Sequence, residues 1–274
     1  MNTDAVIAAV GVIFASTSLT AAVFMYRRSY AVRSSPRSPG LIASTQEIPR
    51  TEQHVFRLDP PDASPCRVGI ITGNIRRVTQ ADIWVNGENT DMEMARITEN
   101  SVSAVIRYLG SERDAAGRVT TDVVADALRS VVGGKTPVAP CSAFVTPAGA
   151  LEASNNVHYV IHVAAVQGEP GSGFHQVRNI GQCVTNALNE AENLEVADTK
   201  GLSILFPLLG TGTGRAEVRS TVVSMLGATV NYLDVTPNTK LRTIYFLAYT
   251  DQALKTLLSE IRALPRLVPA NPTS

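Results

Sequence analysis

Leu202-Ser203-Ile204-Leu205-Phe206, followed by Pro207-Leu208-Leu209-Gly210-Thr211-Gly212-Thr213-Gly214, is the stretch on which the reading of this chain turns. The apolar run from Leu202 to Leu209 fits a strand buried on both faces, and Val218 to Leu233 beyond the glycines carries helical spacing. Three glycines at alternate positions let the backbone turn so that successive N–H groups face inward, and the hydroxyls of Thr211 and Thr213 add donors. Such a turn can cradle a pyrophosphate without a lysine. It lacks the Gly-Lys-Ser/Thr of a P-loop and does not meet G-x-G-x-x-G, and an ordinary strand-to-helix turn has the same outline.

Working outward, the same alternation recurs. Val68–Ile71, Ile83–Val85, Ala143–Thr146, Val157–Val166 and Thr243–Tyr249 read as strands. Met92 to Leu109, Asp122 to Val132 (capped by Thr120 or Thr121), Gly173 to Leu194 and Asp251 to Ile261 read as helices. Strands alternating with helices predict an α/β fold, a largely parallel sheet covered on both faces, with ligands beyond the carboxyl ends of the strands.

A second cluster of polar residues lies at such strand ends: Gly73-Asn74-Ile75, then Asn86-Gly87-Glu88-Asn89. Amides offer both donor and acceptor, suited to ribose hydroxyls beside phosphates, although Asn and Gly also favour turns for local reasons. Taken with the glycine turn, in this order, these segments resemble the macrodomain family of ADP-ribose-binding modules over roughly Val68 to Ile261. The resemblance implies a three-layer α/β/α fold with a mixed, largely parallel sheet. It implies ligand contacts from Asn74 and Ile75 to adenine, Asn86 and Asn89 to the distal ribose, and Gly210, Thr211, Gly212, Thr213 and Gly214 to the pyrophosphate. Tyr249 would stack on adenine, and Ser101, Val102 and Ser103 would line the distal side.

Two departures bear on activity. The family's adenine-binding Asp is Asn74 here, whose Oδ1 can still accept a bond without charge assistance. The glycine run and Asp with which family hydrolases place water correspond to Glu99-Asn100-Ser101-Val102-Ser103, with Ser103 aligned to the Asp. A serine hydroxyl is a poor general base, so no catalytic residue is assigned, with Glu88, Asp91, Glu93 or Glu99 as substitutes the sequence leaves open. Met92 and Met94 suit helix packing or the distal pocket, Trp84 the core, and the Gly168–Gly173 loop a lid or a plain surface loop. His158 and His162 are four apart in a strand and read as satisfied structural histidines. No metal or cofactor is expected.

The chain has 274 residues with 24 Lys and Arg against 24 Asp and Glu, so no global field draws it to nucleic acid. Cys66, Cys141 and Cys183 are too scattered for a disulfide framework or zinc cluster. Residues 5–26 form an uncharged apolar run that as a helix would span about 33 Å, enough to cross a bilayer. Arg27, Arg28, Arg33 and Arg37 follow it, whereas Asp4 is the one charged side chain before it; this predicts an uncleaved single-pass anchor with its N-terminus outside and the rest cytoplasmic, the alternative being a cleaved signal peptide, which needs a basic start. Ala8, Gly11, Ala15, Ser18 and Ala22 make a small-residue seam through which such helices can associate, although small residues also lie off it. Residues 27–50 read as a basic Ser/Pro-rich tether near lipid headgroups, 51–264 as the macrodomain and 265–274 as a tail. This architecture resembles the membrane-macrodomain effectors of bacterial (Thoeris-type) antiphage defence, implying a receptor for an NAD-derived nucleotide that clusters in the membrane. The alternatives are an ADP-ribosylhydrolase or O-acetyl-ADP-ribose deacetylase, and an adaptor recruiting ADP-ribosylated proteins to the membrane.

Overall fold

The computed structural model describes residues 46–60, 64–169, 173–195 and 201–270. The membrane span expected at 5–26 and the tether up to residue 45 lie outside the described residues; among those described, no helix is long and apolar enough to cross a membrane.

In chain order the elements are β1 (Gln53–Leu58), β2 (Arg67–Thr72), β3 (Ile83–Asn89), α1 (Val102–Gly110), β4 (Glu112–Arg113), β5 (Val119–Thr121), α2 (Val123–Val132), β6 (Ala143–Pro147), α3 (Leu151–Asn155), β7 (Tyr159–Glu169) and β8 (Gly173–Gln176). They continue through α4 (Ile180–Glu192), β9 (Leu202–Phe206), α5 (Val218–Val235), β10 (Leu241–Ala248), α6 (Asp251–Arg262) and β11 (Leu267–Pro269). The main sheet runs β11-β1-β2-β10-β9-β3-β7-β6, with β8 on the far part of β7. Its centre, β2-β10-β9-β3-β7, is parallel, and antiparallel strands close both edges. The sheet is therefore mixed and largely parallel, as expected.

The central strands carry near-continuous apolar runs because both of their faces are covered. Alternate side chains divide between the layers: Val85, Ile204, Phe206, Ile244 and Phe246 pack under α4, α5 and α6, while Trp84, Leu205 and Leu247 pack under α1, α2 and α3. Parallel pairing brings the carboxyl ends of β2, β10, β9 and β3 to one edge, so Asn74, Tyr249, the glycine turn and Asn89 emerge side by side.

Several element boundaries differ from expectation, each for a local reason. Met92 to Leu109 is not one helix. Asn89 folds a turn back on itself, its Oδ1 accepting from Glu93 N at 3.3 Å, and Met92 takes φ +54°. The helix starts only at Val102, where Ser101 Oγ accepts from Ala104 N at 3.1 Å. Met92 and Met94 are core residues between the two segments rather than part of a helix. Asp122, not Thr120 or Thr121, precedes α2, and Thr121 Oγ1 donates to Glu112 Oε2 at 2.7 Å instead. The span from Gly173 to Leu194 divides into β8 and α4, with Asn179 capping the helix. Leu267–Pro269, assigned to the tail, pairs with β1 as β11. The middle of the 168–173 loop is outside the described residues; its flanks form the β7–β8 hairpin.

Candidate functional site

The glycine turn leaves β9 at Phe206 and is pinned from beneath by β8: Gln176 Nε2 donates to Leu209 O at 2.7 Å and to Thr221 Oγ1 at 2.9 Å. The three glycines do different jobs. Gly210 takes φ +75° with the Gln176 side chain against it. Gly214 is required by close approach, since a Cβ there would lie 2.5 Å from Gly210 O and 2.8 Å from Val166. Gly212 faces open space, with nothing within 4 Å of an added Cβ. The N–H groups of Gly212, Thr213 and Gly214 find no acceptor among the described residues, whereas those of Thr211, Arg215 and Ala216 are used within the turn. Three successive donors without acceptors among the described residues are what a turn needs in order to hold an anion.

Two details correct the sequence reading of this turn. The Thr211 hydroxyl donates to Leu208 O at 2.8 Å, so it braces the turn and is not a spare donor; Thr213 is exposed. The start of α5 is already occupied by Glu217, whose carboxylate accepts from Arg219 N at 2.8 Å and Ser220 N at 2.6 Å. Those amides hold the Glu217 carboxyl below its usual range. The amides at this helix end are therefore taken, and those left for an anion are the ones in the loop.

At the neighbouring strand ends, Asn74 opens the 3-10 turn Ile75–Arg77, its Oδ1 accepting from Arg76 N at 3.1 Å. The Ile75 side chain points into the core at 3% exposure, leaving only its backbone for a ligand. Tyr249 follows β10 and is 40% exposed. Asn74 Nδ2 donates to Glu47 Oε1 at 3.3 Å, and the Tyr249 hydroxyl donates to Glu47 Oε2 at 2.8 Å. The bond to Glu47 holds the Tyr249 phenol above its usual range. Glu47 went unnoticed in the sequence, which offers no periodicity or motif around it.

The expected ribose pair separates. Asn89 sits at the rim, half-buried and tied to Glu93. Asn86 is fully buried and does not reach the cleft. Its Nδ2 donates to Glu88 Oε1 at 2.5 Å and lies 3.3 Å from His162 Nδ1, while its Oδ1 has no partner among the described residues. His162 Nε2 lies 3.1 Å from Thr146 Oγ1, and Ser103 Oγ donates to Glu88 Oε1 at 2.7 Å and accepts from Ala95 N at 3.0 Å. A buried polar chain thus runs from β6 through β7 and β3 to the first turn of α1. Burial pushes Glu88 up to about 8 and His162 down to about 3, so both are neutral near pH 7. His162 is a satisfied structural histidine, as expected. Period-two alternation could have found this face: Trp84, Asn86 and Glu88 are i, i+2 and i+4 on one strand, and Trp84 is core. Ser101 caps α1, Val102 is half-buried beside it, and Ser103 is spoken for by Glu88 and Ala95.

Two hollows lie elsewhere. A groove of about 550 Å³ separates α4 from α5 on one helical face, and another of about 270 Å³ lies between β1 and α6; neither touches the strand ends. No group of metal-ligating side chains occurs among the described residues, and all three cysteines there are free and buried.

Comparison with known proteins gives the family and the fold. A sequence profile described as Macro domain matches residues 85–225. Comparison with curated protein sequences gives no match. Among solved structures, the Oceanobacillus iheyensis macrodomain with ADP is similar at 12% identity and a TM-score of 0.57, covering 78% of this chain and 97% of that one. The Trypanosoma brucei macrodomain in complex with ADP-ribose is similar at 18% identity and a TM-score of 0.52, covering 74% and 73%. At such identities the likeness is one of fold.

Proposed function

The chain belongs to the Macro domain family, and from that premise we propose that it binds ADP-ribose or an NAD-derived conjugate of it as the sensing part of a membrane-anchored effector. One observation carries the ligand: the turn at Gly212–Gly214, exposed at Gly212 and Thr213 and buried at Gly214, whose three N–H groups have no acceptor among the described residues and whose base is fixed by Gln176. Uncharged donors on a rigid turn suit a diphosphate, because they supply bonds without the reorganisation that long side chains need. Asn89 and the opening of α1 stand on the ribose side, and Asn74 with Tyr249 on the base side.

Binding is better supported than hydrolysis. Ser103, at the position where family hydrolases carry an Asp, gives its hydroxyl to Glu88 and takes the N–H of Ala95, which leaves it no freedom to orient a water. The apolar run at 5–26 with arginines behind it supports membrane attachment. Ligand-driven clustering of such domains would bring the attached helices together, which is the basis for a role in antiviral defence.

Calorimetry with ADP-ribose, NAD and an ADP-ribosylated protein tests this reading. Saturable binding of free nucleotide is expected, and Gly212→Glu should weaken it by about a hundredfold, since a carboxylate beside the phosphates costs several kcal/mol. Equal affinity of that variant would remove the site. Preference for the modified protein would favour the adaptor, and multiple turnover of an ADP-ribosylated substrate would favour the enzyme.

A further inference from the structure

At the base side of the cleft, three separate segments meet on one carboxylate. Glu47 precedes β1 and is bridged to Thr250, while Ile48 N donates to Tyr249 O at 3.0 Å. Thr72 Oγ1 donates to Arg50 O at 2.8 Å, and Arg77 Nη1 donates to Pro49 O at 2.7 Å. These bonds lay residues 47–50 along the ends of β2 and β10 and fix where the Glu47 side chain stands.

Each Glu47 oxygen receives one bond, from Asn74 Nδ2 and from the Tyr249 hydroxyl, and both donors are neutral. No cation pairs with this carboxylate among the described residues. A carboxylate oxygen has room for about two bonds, so acceptor capacity with full charge remains. Beside it lies the Tyr249 ring, 40% exposed and held in place by its own hydroxyl. An exposed aromatic face next to an unneutralised acceptor matches a flat heterocycle with an amino group on its edge: the ring stacks and the amino group donates. Asn74 is poorly placed to serve instead, because its Oδ1 caps the following turn and its Nδ2 is spent on Glu47.

We propose that Glu47, supplied by the segment before the first strand, is the residue that reads the exocyclic amino group of the nucleobase and so sets base specificity. The assignment rests on the nucleotide reading above. A base with a carbonyl at that position would set its oxygen against the carboxylate and be rejected.

The test compares ADP-ribose with its hypoxanthine counterpart, in which a 6-oxo group replaces the 6-amino group, by calorimetry on the full chain. Wild-type protein should bind the amino form at least about tenfold more tightly. Glu47→Gln keeps one acceptor oxygen, which can still take the Asn74 bond, and turns the other into an amide N–H that can donate to the Tyr249 hydroxyl oxygen or to a 6-oxo group, so the ratio should fall below about threefold, mainly by gain of the hypoxanthine ligand. Tyr249→Phe keeps the ring, frees the carboxylate from one donor and should weaken the preference by a smaller factor. If wild type and Glu47→Gln bind both ligands with the same ratio, the assignment is overturned while the nucleotide site stands. If wild type binds neither ligand, the nucleotide reading fails and this assignment with it.

Discussion

Glu88 should make the stability of this domain depend on pH in a window where most proteins are indifferent. Its carboxyl rises from 4.5 to about 8 in the fold, with burial as the largest cause. The folded state therefore holds a proton that the unfolded chain releases above its ordinary value. The stabilisation is complete below pH 4.5 and is lost as pH rises through 8. His162 acts in the opposite sense: burial moves it from 6.5 down to about 3, so stability is lost as pH falls below 6.5. Each group contributes about 1.4 kcal/mol per pH unit inside its own window. The two slopes cancel between 4.5 and 6.5, producing a plateau. From 6.5 to 8 only Glu88 acts, and stability should fall by about 2 kcal/mol. Trp84, the single tryptophan and wholly buried, reports unfolding by fluorescence. Urea titrations of residues 46–270 at half-unit steps from pH 5 to 8 measure the effect. Glu88→Gln should abolish the decline above pH 6.5, because the amide does not titrate. A wild-type curve that is flat from 6.5 to 8, or a variant that declines as steeply, would refute the reasoning.

Other expectations follow from packing and topology. Gly214→Ala should cost about 1–3 kcal/mol, read from urea midpoints, because its Cβ would meet the carbonyl of Gly210 and the side chain of Val166. Phe206→Ala, which removes a fully buried ring stacked 6.0 Å from Phe246, should cost about 3–5 kcal/mol in the same assay. Arg107 bonds to Asp122 and to the carbonyls of Met94 and Ala95, so Arg107→Ala should hasten proteolytic cleavage between residues 90 and 100 before the rest of the domain is cut. On the membrane question, the full chain should float with anionic vesicles in a density gradient, whereas a chain lacking residues 1–45 should remain at the bottom.

The strands and helices that were legible in the sequence are those with uninterrupted patterns. Val218–Leu233, Asp251–Ile261 and the strand starting at Leu202 are legible from apolar spacing alone, because a strand buried on both faces or a helix buried on one must carry that spacing in its residues; that strand ends at Phe206 and not at Leu209, since Pro207 lacks the N–H to continue it. Local pattern also predicted the order of layers and the glycine turn beyond β9. Legibility fails where a side chain answers to a distant partner. Met94, Val102, Val105, Ile106 and Leu109 keep helical spacing, yet Asn89 bonded to Glu93 and Arg107 bonded to Met94 O hold the backbone before Val102 out of the helix. β11 is too short to announce itself and exists only because β1 offers it an edge.

The site divides in the same way. Its sequence could say that Gly210, Gly212 and Gly214 make an amide-lined turn, since the absence of side chains is a property of the residues themselves. Only the tertiary structure decides that Asn86 faces inward to His162 and Glu88 while Asn89 stays at the rim, and that Glu47 stands between Asn74 and Tyr249. Those contacts join residues as far as 202 positions apart. They arise because parallel pairing gathers the ends of separate strands at one edge, and no local rule relates side chains that only the sheet brings together.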